Sequence, residues 1–237
     1  MTPLLDVTTH SFTDCQAQAV ALAERIAERL RTALTERGQA LLAVSGGSTP
    51  KQLFARLSQQ ALDWSRVQVT LVDERWVPEG DERSNARLVK ALLLQHAAAS
   101  ATFVPLYSDA ATPEQGLAAS SARIDALPLP FDVVVLGMGD DGHTASFFPG
   151  GDHLAEALDL DGTARLLPMR APGAGEPRIT LSLPTLLQTG ALYLLVSGEK
   201  KRDVLADARL GLGAARHYPV RAVLTQQRTP VAVYWCP

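Results

Sequence analysis

An aspartate two residues ahead of a histidine, inside a glycine-rich turn, is an arrangement suited to moving protons. The run Gly137-Met138-Gly139-Asp140-Asp141-Gly142-His143-Thr144-Ala145-Ser146 contains one. Asp141 is placed to orient the His143 imidazole and hold its tautomer, and imidazole's ordinary pKa of about 6.5 suits general-base work near neutrality. The same run spells G-x-G-x-x-G, with Asp159 or Asp161 near the spacing of a ribose-binding acid. A dinucleotide is not expected there. Two aspartates inside the loop would repel a pyrophosphate, and Pro149-Gly150-Gly151 breaks the helix that such a motif needs.

Three more places carry residues of this kind. In Ser45-Gly46-Gly47-Ser48-Thr49-Pro50 two glycines admit close backbone approach. Thr49 is read as a helix cap with Pro50 at the first position and Gln52 completing a capping box, so that free N–H groups face an anion. The terminal GK[ST] of a P-loop is missing. Next comes Asp73-Glu74-Arg75-Trp76-Val77-Pro78, followed by Asp81, Arg83, Ser84 and Asn85. Charges at the end of a buried strand are costly unless paired or used, so this is an ion-pair cluster or a site. Finally, Arg178 opens an apolar run and Lys200 follows another, where both could converge on a phosphate.

The elements that must position these residues alternate. An amphipathic stripe (Val20, Ile26, Ala27, Leu30, Leu34) predicts a helix over 13–37 that ends at Gly38. Strands are predicted at 40–44, 67–72, 103–106, 131–137, 164–169, 178–183, 191–198 and 231–236. Helices are predicted from Pro50, over 84–97, from Thr112 with Pro113 at its first position, and from Glu199. Strands alternating with helices imply βαβ units and a mostly parallel sheet, whose ligands sit beyond the strands' carboxyl ends. All four groups of candidates follow or open such strands. The stretch 171–177 is read as a loop, leaving one domain over 1–237.

Composition excludes several classes. The 237 residues carry 22 basic and 25 acidic side chains, a net charge of −3, which argues against a nucleic-acid binder. Apolar residues make up 46%, enough for a full core, yet no run reaches the ~18 of a membrane span. The first ten residues lack the pattern of a signal peptide, so a cytoplasmic protein is expected. Cys15 and Cys236 are read as two free thiols in a reducing compartment. No metal-ligand spacing is present, and G-x-S-x-G is absent. His10, His96, His153 and His217 are read as surface or loop residues, and Trp64, Trp76 and Trp235 as packing.

Taken in chain order, SGGSTP, DERWVP with its following D-x-R-S-N, GMGDDGHTASFFPG, RITLSLP and SGEKK resemble the 6-phosphogluconolactonase family over nearly the whole chain. The related deaminases of glucosamine 6-phosphate carry an acid just before the Pro-Gly pair, where this chain has Phe148. The resemblance implies an α/β, Rossmann-like three-layer sandwich with a mostly parallel central sheet and a small additional sheet, as in glucosamine-6-phosphate deaminase and ribose-5-phosphate isomerase. It implies hydrolysis of 6-phospho-D-glucono-1,5-lactone by a monomer without cofactor, metal, nucleic acid or membrane. On that reading His143 is the general base and Asp141 orients it. Arg75 meets the oxyanion or the lactone oxygens, and Asp73 binds hydroxyls or shares the base work. Gly46, Gly47, Ser48 and Thr49 cradle the phosphate, with Arg83, Arg178 and Lys200 neutralising it. A phosphosugar sensor would append a helix-turn-helix, and residues 1–37 offer one helix.

Overall fold

Five-residue runs with every side chain apolar demand burial on both faces, and a parallel sheet supplies it. Ala40–Val44 (β2) is such a run, and all five of its residues are buried. The computed structural model describes residues 7–237. The expectation about a leader sequence bears partly on residues 1–6, outside that range. The other strands are β1 (Val7–Ser11), β3 (Val67–Leu71), β4 (Asp73–Arg75), β5 (Thr102–Val104), β6 (Val133–Gly137), β7 (Leu166–Met169), β8 (Arg178–Leu181), β9 (Leu192–Ser197) and β10 (Val231–Cys236).

Seven strands form one sheet in the order β1-β10-β9-β6-β2-β3-β5, parallel throughout. From β2 the chain winds outward through β3 to β5, then returns to lay β6 against the other side of β2. That reversal opens a crevice beyond the carboxyl ends of β2 and β6, the usual ligand position in such sheets. The loops that leave these two strands are SGGSTP and GMGDDGH. The three-stranded sheet β4-β8-β7 is antiparallel and puts Arg75 opposite Arg178. Residues 171–177 join β7 to β8 as a hairpin loop.

The helices are α1 (Cys15–Arg37), α2 (Lys51–Leu57), α3 (Asn85–Leu92), α4 (Pro113–Asp125), α5 (Leu154–Leu158), α6 (Leu183–Leu186), α7 (Glu199–Leu210) and α8 (Val220–Thr225). Leu22, Ile26 and Leu30 of α1 are fully buried. The Asp14 side chain accepts the Ala17 N–H at its start, and Gly38, at φ 77°, ends it in the left-handed turn that glycine adopts freely. Thr112 caps α4 as its sequence predicts. Thr49 does not cap α2: Pro50 takes the cap position in a helical conformation, with no side-chain cap bond. Thr49 is therefore left in the turn, facing the crevice.

Three further differences have physical reasons. β1 is an edge strand with four exposed residues, so its sequence lacks an apolar pattern. The helix expected over 84–97 stops at Leu92: Gln95 is extended and His96 turns at φ 51°, so a separate 3-10 turn follows over His96–Ser100. Cys15 and Cys236 are a disulfide, not free thiols. β1 runs parallel to β10 and leads directly into α1, so the start of that helix lies beside the chain's last strand, with Cα atoms 5.1 Å apart. A separation of 221 residues hides this neighbourhood from the sequence. The three tryptophans are buried, and each indole N–H donates to a backbone carbonyl, as packing residues do. Among the described residues no helix is long and apolar enough to cross a membrane.

Candidate active site

The loop after β2 is pinned to the loop after β6. The Ser45 N–H donates to the Val135 carbonyl at 2.9 Å, and the Gly137 N–H donates to Ser45 Oγ at 3.0 Å. Gly47 then turns at φ 93°. Gly46 is required sterically, because a Cβ there would lie 1.9 Å from Asn85 Oδ1. The loop's N–H groups at Gly47 and Ser48 donate to no acceptor among the described residues. They border a cavity of about 170 Å³ that also meets Thr49, Asp73, Arg75 and His143.

His143 leaves the β6 loop through a turn in which the Gly139 N–H donates to its carbonyl at 2.9 Å. A Cβ on Gly139 would lie 2.2 Å from the imidazole, so the ring occupies space that only glycine leaves free. Nδ1 of His143 is 2.6 Å from Asp141 Oδ1, which also accepts the His143 backbone N–H at 3.1 Å. With the Nδ1–H donating to the Asp141 carboxylate, Nε2 is left with a lone pair. The bond from His143 holds the Asp141 carboxyl below the usual carboxylate range. Phe148, 2% exposed, stacks on the imidazole at a centroid distance of 4.3 Å.

Carboxylate and guanidinium groups close the opposite wall. Asp73 is buried and accepts from Ser146 Oγ at 2.6 Å, with Arg178 Nη1 3.8 Å away. Arg75 donates from Nη1 to the Arg83 carbonyl at 2.5 Å. Arg178 donates from Nη2 to the Ala174 carbonyl at 2.6 Å. Both guanidiniums keep a buried Nε–H with no partner among the described residues, so both have donor capacity to spare. Burial pulls the Arg178 pKa down, and Asp73 acts against it.

Two of the sequence candidates point elsewhere. Arg83 is half-exposed and paired with Asp81 and Glu176, and it serves the site only through its carbonyl. Lys200 is 74% exposed and bonded to Asp140 at 2.8 Å, while Lys201 borders the cavity. Successive helical residues are about 100° apart in direction, and nothing in Glu199-Lys200-Lys201 tells which lysine faces inward. Asn85 and Ser146 stand within the sequence motifs, but the sequence assigns neither a role. Among the described residues, no group of three or more His, Cys, Asp or Glu is placed to hold a metal ion.

The family model described as glucosamine-6-phosphate isomerases/6-phosphogluconolactonase matches residues 13–235. The chain belongs to this family. A 6-phosphogluconolactonase of Rhizobium meliloti (strain 1021) is 51% identical over 228 residues, 96% of this chain and 98% of that protein. The crystal structure of a 6-phosphogluconolactonase from Shewanella baltica OS155 superposes with a TM-score of 0.92 at 41% identity, covering 99% of this chain and 100% of that one. A monomeric glucosamine-6-phosphate deaminase superposes at 0.75 with 16% identity, covering 97% of each chain. At that identity the likeness shows a shared fold alone. The dinucleotide reading of the glycine loop fails on the fold as well, since the next helix after β6 is α5, beginning at Leu154.

Proposed function

We propose that the chain hydrolyses 6-phospho-D-glucono-1,5-lactone to 6-phospho-D-gluconate in the oxidative pentose phosphate pathway. The observation that carries this reading is the Asp141–His143 pair at 2.6 Å, opening into the cavity with Arg75 and the glycine loop. Nε2 of His143 takes a proton from water as the water oxygen attacks the C1 carbonyl. Arg75 stabilises the tetrahedral oxyanion; one such donor is worth about 10²–10³ in rate. The C1–ring-oxygen bond then breaks, and the imidazolium returns its proton to the departing oxygen. Asp141 stabilises the imidazolium in between. Asp73 accepts from substrate hydroxyls.

The phosphate carries about −1.5 to −2 charges and sits on the amides of Gly46–Thr49, met by Lys201 and Arg178. We assign the activity to a single domain over 1–237, acting as a monomer without cofactor, and place it in the cytoplasm because a phosphosugar of this charge does not cross membranes unaided. The test generates the lactone in situ from glucose 6-phosphate and subtracts spontaneous opening. Wild-type acceleration that vanishes in His143→Ala supports the reading. No acceleration, with ammonia released from glucosamine 6-phosphate instead, overturns it.

A further inference from the structure

Glu74 is fully buried and takes no part in the chemistry above, yet it sits between residues that do. Side chains alternate along a strand. Asp73 and Arg75 of β4 face the cavity, and Glu74 points the other way, into the start of α3. There its carboxylate accepts four hydrogen bonds. Oε1 takes the N–H of Arg75 and of Asn85, each at 2.8 Å. Oε2 takes the N–H of Ala86 at 2.8 Å and the Ser84 hydroxyl at 3.1 Å. Two oxygens thus fill all their acceptor positions with donors from one strand and one helix end, where the helix dipole also favours an anion.

Two of the four residues held in this way, Arg75 and Asn85, border the cavity. Asn85 donates from Nδ2 to the Asp73 carbonyl at 3.0 Å, and its Oδ1 fills the space that a side chain at Gly46 would need. Asp73 and Arg75 are the immediate chain neighbours of Glu74. We propose that Glu74 is a positioning residue for this reaction, a carboxylate clamp that sets the backbone of Arg75 and Asn85 and thereby aims the Arg75 guanidinium at the developing oxyanion. The inference rests on the lactonase reading of the cavity. The clamp needs a carboxylate, because an amide in its place, in either orientation, turns N–H donors toward at least one backbone N–H that can only donate.

The test compares Glu74→Gln with wild type, at a temperature where both are folded. Expected is a fall in kcat of tenfold or more, with KM and the affinity for inorganic phosphate within twofold, because the clamp's four bonds reach neither the amides of Gly47–Thr49 nor Lys201. In an Arg75→Ala background Glu74→Gln should cost little further kcat, since both changes remove one function. Wild-type kcat in folded Glu74→Gln, or a loss that adds fully to that of Arg75→Ala, overturns the inference. Should Glu74→Gln not fold, Ser84→Ala removes one of the four donors: a reduced kcat at unchanged KM supports the clamp, and an unchanged kcat overturns it. A wild type without lactonase activity overturns the reading of the site and this inference together, whereas an active wild type with an indifferent variant overturns this inference alone.

Discussion

The ring of Phe148 lies between two groups that line the cavity, stacked on the His143 imidazole at 4.3 Å and carrying the Arg178 guanidinium 5.3 Å from its centroid. An acid in this place would put a carboxylate against the imidazole and the guanidinium. Phenylalanine instead holds the plane of the imidazole without adding charge. Aromatic stacking is worth about 0.5–1.5 kcal/mol beyond area burial, so Phe148→Leu should lower kcat about two- to tenfold. Phe148→Tyr should keep most of it. Steady-state kinetics on the in situ lactone checks both, and an unchanged kcat in the leucine variant would remove the ring from the mechanism.

The Asp141–His143 pair predicts an order of losses. His143→Ala should reduce kcat by about 10²–10⁴, the worth of a positioned base. Asp141→Asn should cost less, because the base remains and only its tautomer and orientation are freed. KM should hardly move in either. The pair also has a pH signature. Asp141 has a lowered pKa in the fold, so its contribution to stability is present above the unfolded value of about 3.9 and lost as pH falls through the folded one. The difference in Tm between wild type and Asp141→Asn should therefore be present at pH 5 and close as the pH drops below 4.

Much of this was legible from the chain. Runs such as Ala40–Val44, Val133–Gly137 and Val231–Cys236 are apolar throughout because both their faces are covered, and that pattern needs no knowledge of neighbours. The chemistry clustered after those strands because parallel sheets place all carboxyl ends together. What was not legible depends on direction or on distant contact. Strand β4 is three charged residues whose partner, β8, lies about a hundred residues on, so it read as a strand end. Lys200 and Lys201 differ only in which way the helix turns them. The Cys15–Cys236 contact exists only after β1 has paired with β10.

The two lysines give a discriminating pair of variants. Lys201→Ala should raise KM tenfold or more at little cost in kcat, as expected when a ground-state phosphate contact is lost, since each 1.4 kcal/mol is about tenfold. Lys200→Ala removes an exposed ion pair with Asp140 and should change neither constant beyond about twofold. Equal losses in both would mean that the start of α7 shifts on substrate binding. A loss confined to Lys200 would reverse the assignment.

The disulfide joins the start of α1 to the end of β10, a strand tied to the site's edge. The Gly198 N–H donates to the Cys236 carbonyl at 2.9 Å, and the Trp235 indole donates back to the Gly198 carbonyl at 3.1 Å. Gly198 begins the turn into α7, two residues before Lys200. Closing so long a loop restricts the unfolded chain, an effect typically worth about 2–4 kcal/mol, and at about 2–4 °C per kcal/mol for a chain of this size, reduction should lower Tm by several degrees. Cys15→Ser should match the reduced protein and be indifferent to reductant. KM should stay the same in all three, because the parallel ladder β1-β10-β9 and the two bonds to Gly198 persist without the sulfur link. Thiol titration in denaturant decides the premise: no thiols before reduction and two after it. Two thiols in the untreated protein, with a Tm that reductant does not move, would mean that the bond does not form in solution.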